Sequence, residues 1–424
     1  MPPICEVKRE VYMRSPRPHV AIGVGAQYVG RGLRREERRS YTGSSDWSDT
    51  MCVRYSDDNG RTWSEWELVD REWPSQGNCT KEEGPSGSIH DPVSGRTVRA
   101  VFQRVLLGDP QQALAEYWKG NVLFHDHGFW QVSRDDGRTW SPMEQLKYED
   151  GPSFDPDNWG NPDFLRTNEM YIGYHLITLR DGQVFLPVVR PVPFYDEEDR
   201  VVDDMVNLTG RENHVAGIMC FLGRWNPEAE RYEWTTSEPL AVPRRISWRG
   251  LMEPEAAELL SGAILLVMRG SNTRVTPGRR WVSVSKDGGY SWSPVTDLRY
   301  DNGEPFHSPS SPCGLIRSSM TGKLYWVGNI SPTPPDGNSP RYPLYIAEVD
   351  ETIPALKRDA LTLIDGRDPD HDSALLQVTN FSLLENRETG QFELYLTRLG
   401  ERGDGKSFEG DFWTADSCKY VLSF

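Results

Sequence analysis

Apolar runs broken by short polar turns recur along the whole chain. Five phrases share one form, an apolar run, a polar turn ending in Gly and a second apolar run: IHDPVSGRTVRAVF (89–102), LITLRDGQVFLPVV (176–189), AAELLSGAILLVM (256–268), GLIRSSMTGKLYWV (314–327) and FSLLENRETGQFELYL (381–396). Turn residues flanked by β-formers predict hairpins. A second hairpin type follows the template S-x-D-x-G-x-(T/S)-W and occurs as SDDNGRTW (Ser56–Trp63), SRDDGRTW (Ser133–Trp140) and SKDGGYSW (Ser285–Trp292). Its Gly tolerates positive φ, its Asp and Ser side chains can bond nearby backbone N–H groups, and its Trp can pack under the turn. These Asp residues are therefore expected to be structural.

Two hairpin types alternating along a chain predict the four-stranded blades of a β-propeller. The expected fold is all-β, with six blades rather than seven, near 20–72, 85–147, 165–242, 250–298, 305–365 and 375–420. The segment EVKREVYM before residue 20 is expected to add a strand to the last blade, making residues 1–424 one propeller domain. A degenerate turn of the second type is expected in FLGRWNPEAERYEW (221–234).

Composition agrees with this reading, because 38 Gly, 31 Pro and 15 Trp in 424 residues suit tight turns and aromatic strands better than long helices. The net charge of −16 argues against nucleic acid or an anionic membrane held by bulk charge, so an acidic ligand must be met by local cations. Six scattered cysteines without a CxxC pair read as buried thiols. No metal or cofactor is expected. No stretch approaches the roughly 20 apolar residues of a membrane span, and MPPICEVKREVYM lacks the apolar core of a signal peptide. The expectation is a cytoplasmic protein, with a secreted or periplasmic form as the alternative if a leader has been removed.

The octapeptide is similar to the Asp-box, or BNR repeat, of sialidases and related six-bladed propellers. That resemblance implies an exo-glycosidase with three carboxylate-binding arginines, an Asp general acid/base, and a Tyr nucleophile assisted by Glu. GSSDWSDTMCVRYSDDNGRTW (43–63) resembles the segment carrying the acid and points to Asp46, with Asp49 as the alternative. RREERRS (34–40) offers Arg38 or Arg39 as a further site arginine. GLMEPEAAELLSGAILLVMRGS (250–271) resembles the segment of the assisting Glu and a carboxylate-binding Arg sixteen residues later, which fits Glu253 and Arg269, with Glu255 and Glu258 competing for the Glu role. VGNISPTPPDGNSPRYPLYIA (327–347) resembles the stretch leading to another site arginine, Arg341. The family's Arg-Ile-Pro motif is missing, leaving Arg14 and Arg17 as the nearest candidates. Where the family has Tyr-Ser, this chain reads TNFSLL, with Phe381 and Ser382. A phenyl ring cannot attack an anomeric carbon, and neither Tyr342 nor Tyr395 matches the motif.

Two other classes stand beside the hydrolase. A polysaccharide lyase or rhamnosidase-type propeller acting on uronate glycans needs a proton-abstracting group, for which His175, beside Tyr174, is the candidate. His125 and His127 alternate by two and would share a strand face; that spacing permits a shared metal, although bonding to backbone or carboxylates is the commoner arrangement. His90, His214 and His307 sit in turn-like contexts. A glycan-binding propeller without catalysis would suit the loss of the Tyr. The Trp-bearing loops EYWKGN (116–121) and DNWGNPDF (157–164) offer rings for stacking on sugars. Asp46, Glu253, Arg269 and Arg341 together favour an enzyme whose partner is a carboxylate-bearing glycan.

Overall fold

The computed structural model describes residues 3–44, 48, 50–69, 74–117, 119–172, 176–194, 209–211 and 213–424. Following β1 (Glu6–Met13), blade one comprises β2 (Ala21–Tyr28), β3 (Arg35–Thr42), β4 (Thr50–Ser56) and β5 (Glu67–Leu68). Blade two holds β6 (Ser75–Gln76), β7 (Cys79–Asp91), β8 (Arg96–Leu107), β9 (Phe124–Ser133) and β10 (Glu144–Gln145), with helix α1 (Pro110–Tyr117) between β8 and β9. After helix α2 (Pro162–Leu165), blade three holds β11 (Tyr171–Ile172), β12 (Ile177–Thr178), β13 (Val184–Pro193), β14 (His214–Asn226) and β15 (Arg231–Thr236). Blade four is β16 (Met252–Glu258), β17 (Ile264–Arg269), β18 (Arg280–Ser285) and β19 (Thr296–Asp297), and blade five is β20 (Gly314–Arg317), β21 (Leu324–Asn329), β22 (Leu344–Asp350) and β23 (Ala355–Asp365). Blade six is β24 (Ser382–Glu385), β25 (Phe392–Thr397) and β26 (Ser417–Ser423), with β1 as its fourth strand.

These six antiparallel sheets form a six-bladed β-propeller. In blade six β1 pairs with β26 from Glu6↔Ser423 to Val11↔Cys418, so one sheet joins the two ends of the ring. The five hairpin phrases are the first and second strands of blades two to six. Blade two departs from the expected boundary: β7 already begins at Cys79, and a bulge between Pro85 and Ser88 lets its ladder run through the Gly-Pro step.

Second strands are covered by sheets on both sides, which is why ILLVMR in β17 is buried at every position. Apolar clusters fill the spaces between blades: Val98, Trp130, Val184 and Phe221 between two and three, Phe185, Ile218, Leu266 and Met268 between three and four, and Val327, Ile346, Phe392 and Leu394 between five and six. This packing fixes the blades around the axis.

The three Asp-boxes close the turn between the third and fourth strands. In the first, Ser56 Oγ donates to Asp58 Oδ1 at 2.8 Å, the Gly60 N–H donates to Ser56 Oγ at 2.7 Å, and Thr62 donates through N–H to Oδ1 (2.8 Å) and through Oγ1 to Oδ2 (2.6 Å) of Asp58. Asp135 and Asp287 repeat the pattern. Blade three uses Asn226 at the corresponding turn, its Oδ1 accepting the N–H groups of Glu228 (2.9 Å) and Ala229 (3.0 Å).

Register separates the two ends of the ring. In blade four Ser285, which opens an Asp-box, pairs with Ile264, whereas Arg269 lies at the opposite end of the same ladder, paired with Met252 and Arg280.

Candidate functional site

The first strands of blades one to four and six, with Pro312 and Cys313 just before the first strand of blade five, border a central cavity of about 2010 Å³, and the end remote from the Asp-boxes gathers arginines. The all-apolar run of β17 delivers Arg269 there with only 7% exposure. Its Nε donates to Ser310 Oγ (2.9 Å), its Nη1 to Glu253 Oε1 (2.5 Å) and its Nη2 to Asn338 Oδ1 (3.4 Å). Glu253 adopts φ 39° within a bulge between Met252 and Glu255. A non-glycine residue in that region costs on the order of 1–3 kcal/mol, a strain that concentrates at functional sites. Glu253 Oε2 is buried and has no hydrogen-bond partner among the described residues.

Arg341 reaches the same place from blade five. Its Nη2 donates to the Ser310 carbonyl at 3.1 Å and its Nη1 to Gln377 Oε1 at 3.2 Å. Asn329, at the end of β21, holds the local backbone by donating to the carbonyls of Arg341 (3.2 Å), Pro343 (3.2 Å) and Val378 (3.0 Å). A third guanidinium comes from Arg249, whose Nη1 donates to Asn338 Oδ1 at 2.8 Å. Arg249 is placed by Gly250, which sits at φ 69°, where a Cβ would stand 2.1 Å from the Ala216 carbonyl oxygen; no other residue fits that corner.

The wall from blades two and three is polar and internally paired. Arg104 and Asp126 form a two-point contact of 2.7 and 2.8 Å. Burial raises the Glu169 carboxyl, yet His125 (2.5 Å) and Arg211 outweigh it and hold it below the ordinary range. Tyr117, at the end of α1, lines the same cavity, and burial, with Asp126 adding to it, pushes its hydroxyl up to about 12. At neutral pH that hydroxyl is a donor. The arrangement can grip an anion at one wall and supply a carboxylate from Glu253 beside it.

Comparison with known proteins places the architecture. A family model described as the BNR/Asp-box repeat matches residues 54–65. No curated protein sequence matches the chain. A Dyadobacter fermentans protein of unknown function superposes at TM-score 0.59 with 13% identity over 99% of both chains. A variant of the NanB sialidase from Streptococcus pneumoniae gives 0.55 and 13%, covering 97% of this chain and 68% of its own. The intramolecular trans-sialidase from Ruminococcus gnavus, in complex with oseltamivir carboxylate, gives 0.54 and 10%, covering 98% and 96%. The chain has the six-bladed β-propeller fold of these structures and carries an Asp-box repeat.

Within this propeller, Glu253, Arg269 and Arg341 meet at one end of the cavity. Asp46, Asp49, Tyr174 and His175 lie outside the described residues. Phe381, immediately before β24, also lines the cavity; its ring packs toward Gly314 and Leu383, in the apolar cluster between blades five and six. Glu255 lines the cavity and is buried, whereas Glu258 sits at the far end of β16 and accepts the Arg180 N–H at 2.7 Å.

Two expected arginines are placed elsewhere. Arg17 is exposed and is not among the residues lining the cavity, and Arg14 lies 3.7 Å from Asp416. Strand alternation decides between Arg38 and Arg39. Glu36, Arg38, Ser40 and Thr42 of β3 line the central cavity, while Arg39 turns its guanidinium onto Trp66 (4.3 Å) and Tyr41 (5.2 Å), beside a small adjoining hollow of about 200 Å³. His127 is fully buried, stacked 4.3 Å from Phe164 with its Nε2 at 3.2 Å from the Phe164 carbonyl, and His125 is taken by Glu169. Neither joins a group of three metal-ligating side chains among the described residues. Trp159 is core packing rather than a free ring, and Trp118 lies outside the described residues. Arg249 was missed because an arginine in a connecting segment reads as solvated; the available signal was its place directly before GLMEPE.

Proposed function

We propose that this propeller is a glycoside hydrolase that removes a terminal acidic sugar, of the sialic or uronic acid type, from a glycan. The observation that carries this reading is the meeting of three guanidiniums on two residues: Arg269 and Arg341 on Ser310, and Arg269 and Arg249 on Asn338, with Glu253 against Arg269. Guanidiniums present paired donors that match a carboxylate. The similar trans-sialidase carries a carboxylate ligand, which supports the same ligand class here.

Glu253 holds Arg269 through Oε1 and leaves Oε2 without a hydrogen-bond partner among the described residues, so it is assigned the base that takes a proton from the attacking water. Asp46 is assigned the acid that protonates the departing glycosidic oxygen. With Phe381 in the register of the Tyr nucleophile, water displaces the leaving group directly and the anomeric configuration inverts.

The test is hydrolysis of fluorogenic sialosides and glucuronides by wild type and Arg269→Ala. Turnover that falls at least tenfold in the variant, with inverted product by NMR, is expected. An unsaturated uronate appearing by ultraviolet absorbance would instead make the protein a lyase. Binding without turnover would make it a glycan-binding propeller, and turnover indifferent to Arg269 would remove the carboxylate grip.

A further inference from the structure

We infer that Phe408 is a stacking platform for the pyranose ring next to the acidic sugar, on the leaving-group side. This inference rests on the acidic-glycan reading above and extends it from one sugar to two. Among the exposed large apolar side chains of the described residues, Phe408, at 50%, is the one that also lines the central cavity. An exposed aromatic inside a cavity is a more informative observation than an exposed aliphatic on a convex surface.

The ring is held in place before any ligand arrives. Trp413 donates its indole N–H to the Phe408 carbonyl at 2.9 Å, and Phe412 meets the Phe408 ring edge-on with centroids 5.2 Å apart. Phe412 and Trp413 themselves are core, packed with Ala21 and Ala415. The preceding turn is pinned by Asp404, whose Oδ1 accepts the N–H groups of Lys406 (2.8 Å) and Ser407 (2.9 Å). A fixed ring loses little conformational freedom on binding, so its contact area converts well into affinity.

The same segment is tied to the arginine cluster. The Gly400 N–H donates to the Phe412 carbonyl at 2.9 Å, the Gln377 N–H donates to the Leu399 carbonyl at 2.7 Å, and Arg341 Nη1 rests on Gln377 Oε1. The aromatic wall and the carboxylate grip are therefore parts of one frame across blades five and six. The cavity, at about 2010 Å³, exceeds the roughly 300–1,000 Å³ that a drug-sized ligand fills, leaving room beyond a single sugar. The chemistry of the occupant follows: a pyranose with an apolar C–H face, glycosidically linked to the acidic residue.

The test compares binding of free sialic acid with that of an uncleavable thio-linked sialyllactose, and of glucuronic acid with a thio-linked glucuronyl disaccharide, by calorimetry on the full chain. Wild type is expected to bind a disaccharide more tightly than its acid. Phe408→Ala is expected to weaken the disaccharide about 3- to 10-fold, the worth of one aromatic contact, and to leave the free acid unchanged, while Phe408→Trp restores the disaccharide. Equal loss for acid and disaccharide, or no loss for either, overturns the platform. Arg269→Ala separates the two ideas: if it leaves acid binding intact, the acidic-sugar reading fails whatever Phe408 does. Wild type that binds none of the four sugars overturns both.

Discussion

Arg269 and Arg341 hold opposite sides of one residue: Arg269 Nε donates to the Ser310 hydroxyl at 2.9 Å and Arg341 Nη2 to the Ser310 carbonyl at 3.1 Å. Ser310 is fully buried, so it sets the angle between two guanidiniums that come from different blades. Ser310→Ala deletes the hydroxyl acceptor and keeps the carbonyl. The expected result is a fall in affinity for an acidic sugar of about 2- to 10-fold, from the roughly 0.5–1.5 kcal/mol of one hydrogen bond. Calorimetric titration checks it; an unchanged constant would mean that Arg269 is oriented by Glu253 and Asn338 alone.

Glu253 stands between binding and chemistry. Its Oε1 partly neutralises Arg269, while its Oε2 is buried without a hydrogen-bond partner among the described residues. Glu253→Gln should therefore lower kcat by about 10²- to 10⁴-fold, the usual range for a lost general base. Affinity for the anionic sugar should hold or improve, because a competing carboxylate has gone. A variant with full turnover, or one that no longer binds the acid, contradicts this division of roles.

The architecture was legible because it repeats. Two hairpin types with fixed turn chemistry marked six blades, and local signals such as the Asp58 turn need no tertiary information. The site was legible only in part. Glu253, Arg269 and Arg341 sit in distinctive phrases, yet their meeting at Ser310 spans separate blades, and no spacing rule contains Ser310 or Asn338. The choice between Arg38 and Arg39 depended on strand phase, which a one-residue error inverts. Arg249 and Phe408 lie in connecting segments, where sequence period carries no signal and position is set by single contacts such as Gly250 against Ala216.

Ring closure has an ionic component with a measurable signature. Arg35 of β3 and Glu393 of β25 join blades one and six at 2.9 Å, both almost fully buried, with Lys419 at 3.1 Å and Asn386 at 2.7 Å from the same carboxylate. Burial raises Glu393, but Arg35 and then Lys419 overcome it and hold the carboxyl down to about 2. Removing one partner strands a buried charge, so Arg35→Ala and Glu393→Ala should each cost about 3–5 kcal/mol. The double variant Arg35→Met with Glu393→Leu should recover most of that loss. Urea unfolding measures all three; single variants as stable as wild type would show that water reaches the pair.

The Asp-boxes predict a specific acid response. Asp58, Asp135 and Asp287 are each lowered from 3.8 to about 2, chiefly by the hydroxyl of Thr62, Thr139 or Ser291 and then by the backbone N–H of the same residue. Because the folded carboxyls titrate below the unfolded ones, the folded state binds fewer protons in this window. Their contribution is present above about pH 4 and disappears as pH falls toward about 2. Asp287 is exposed and Asp58 and Asp135 are only partly buried, so the effect of each is modest. Replacing all three with Asn should lower the melting temperature at pH 7, since the acceptor for the hydroxyl is lost. That deficit should shrink steadily as the pH is taken from 4 to 2, where the wild-type carboxyls become protonated as well. Melting curves by circular dichroism across this range decide the matter: a deficit that stays constant with pH would assign the stabilisation to turn geometry rather than to the charge of the three aspartates.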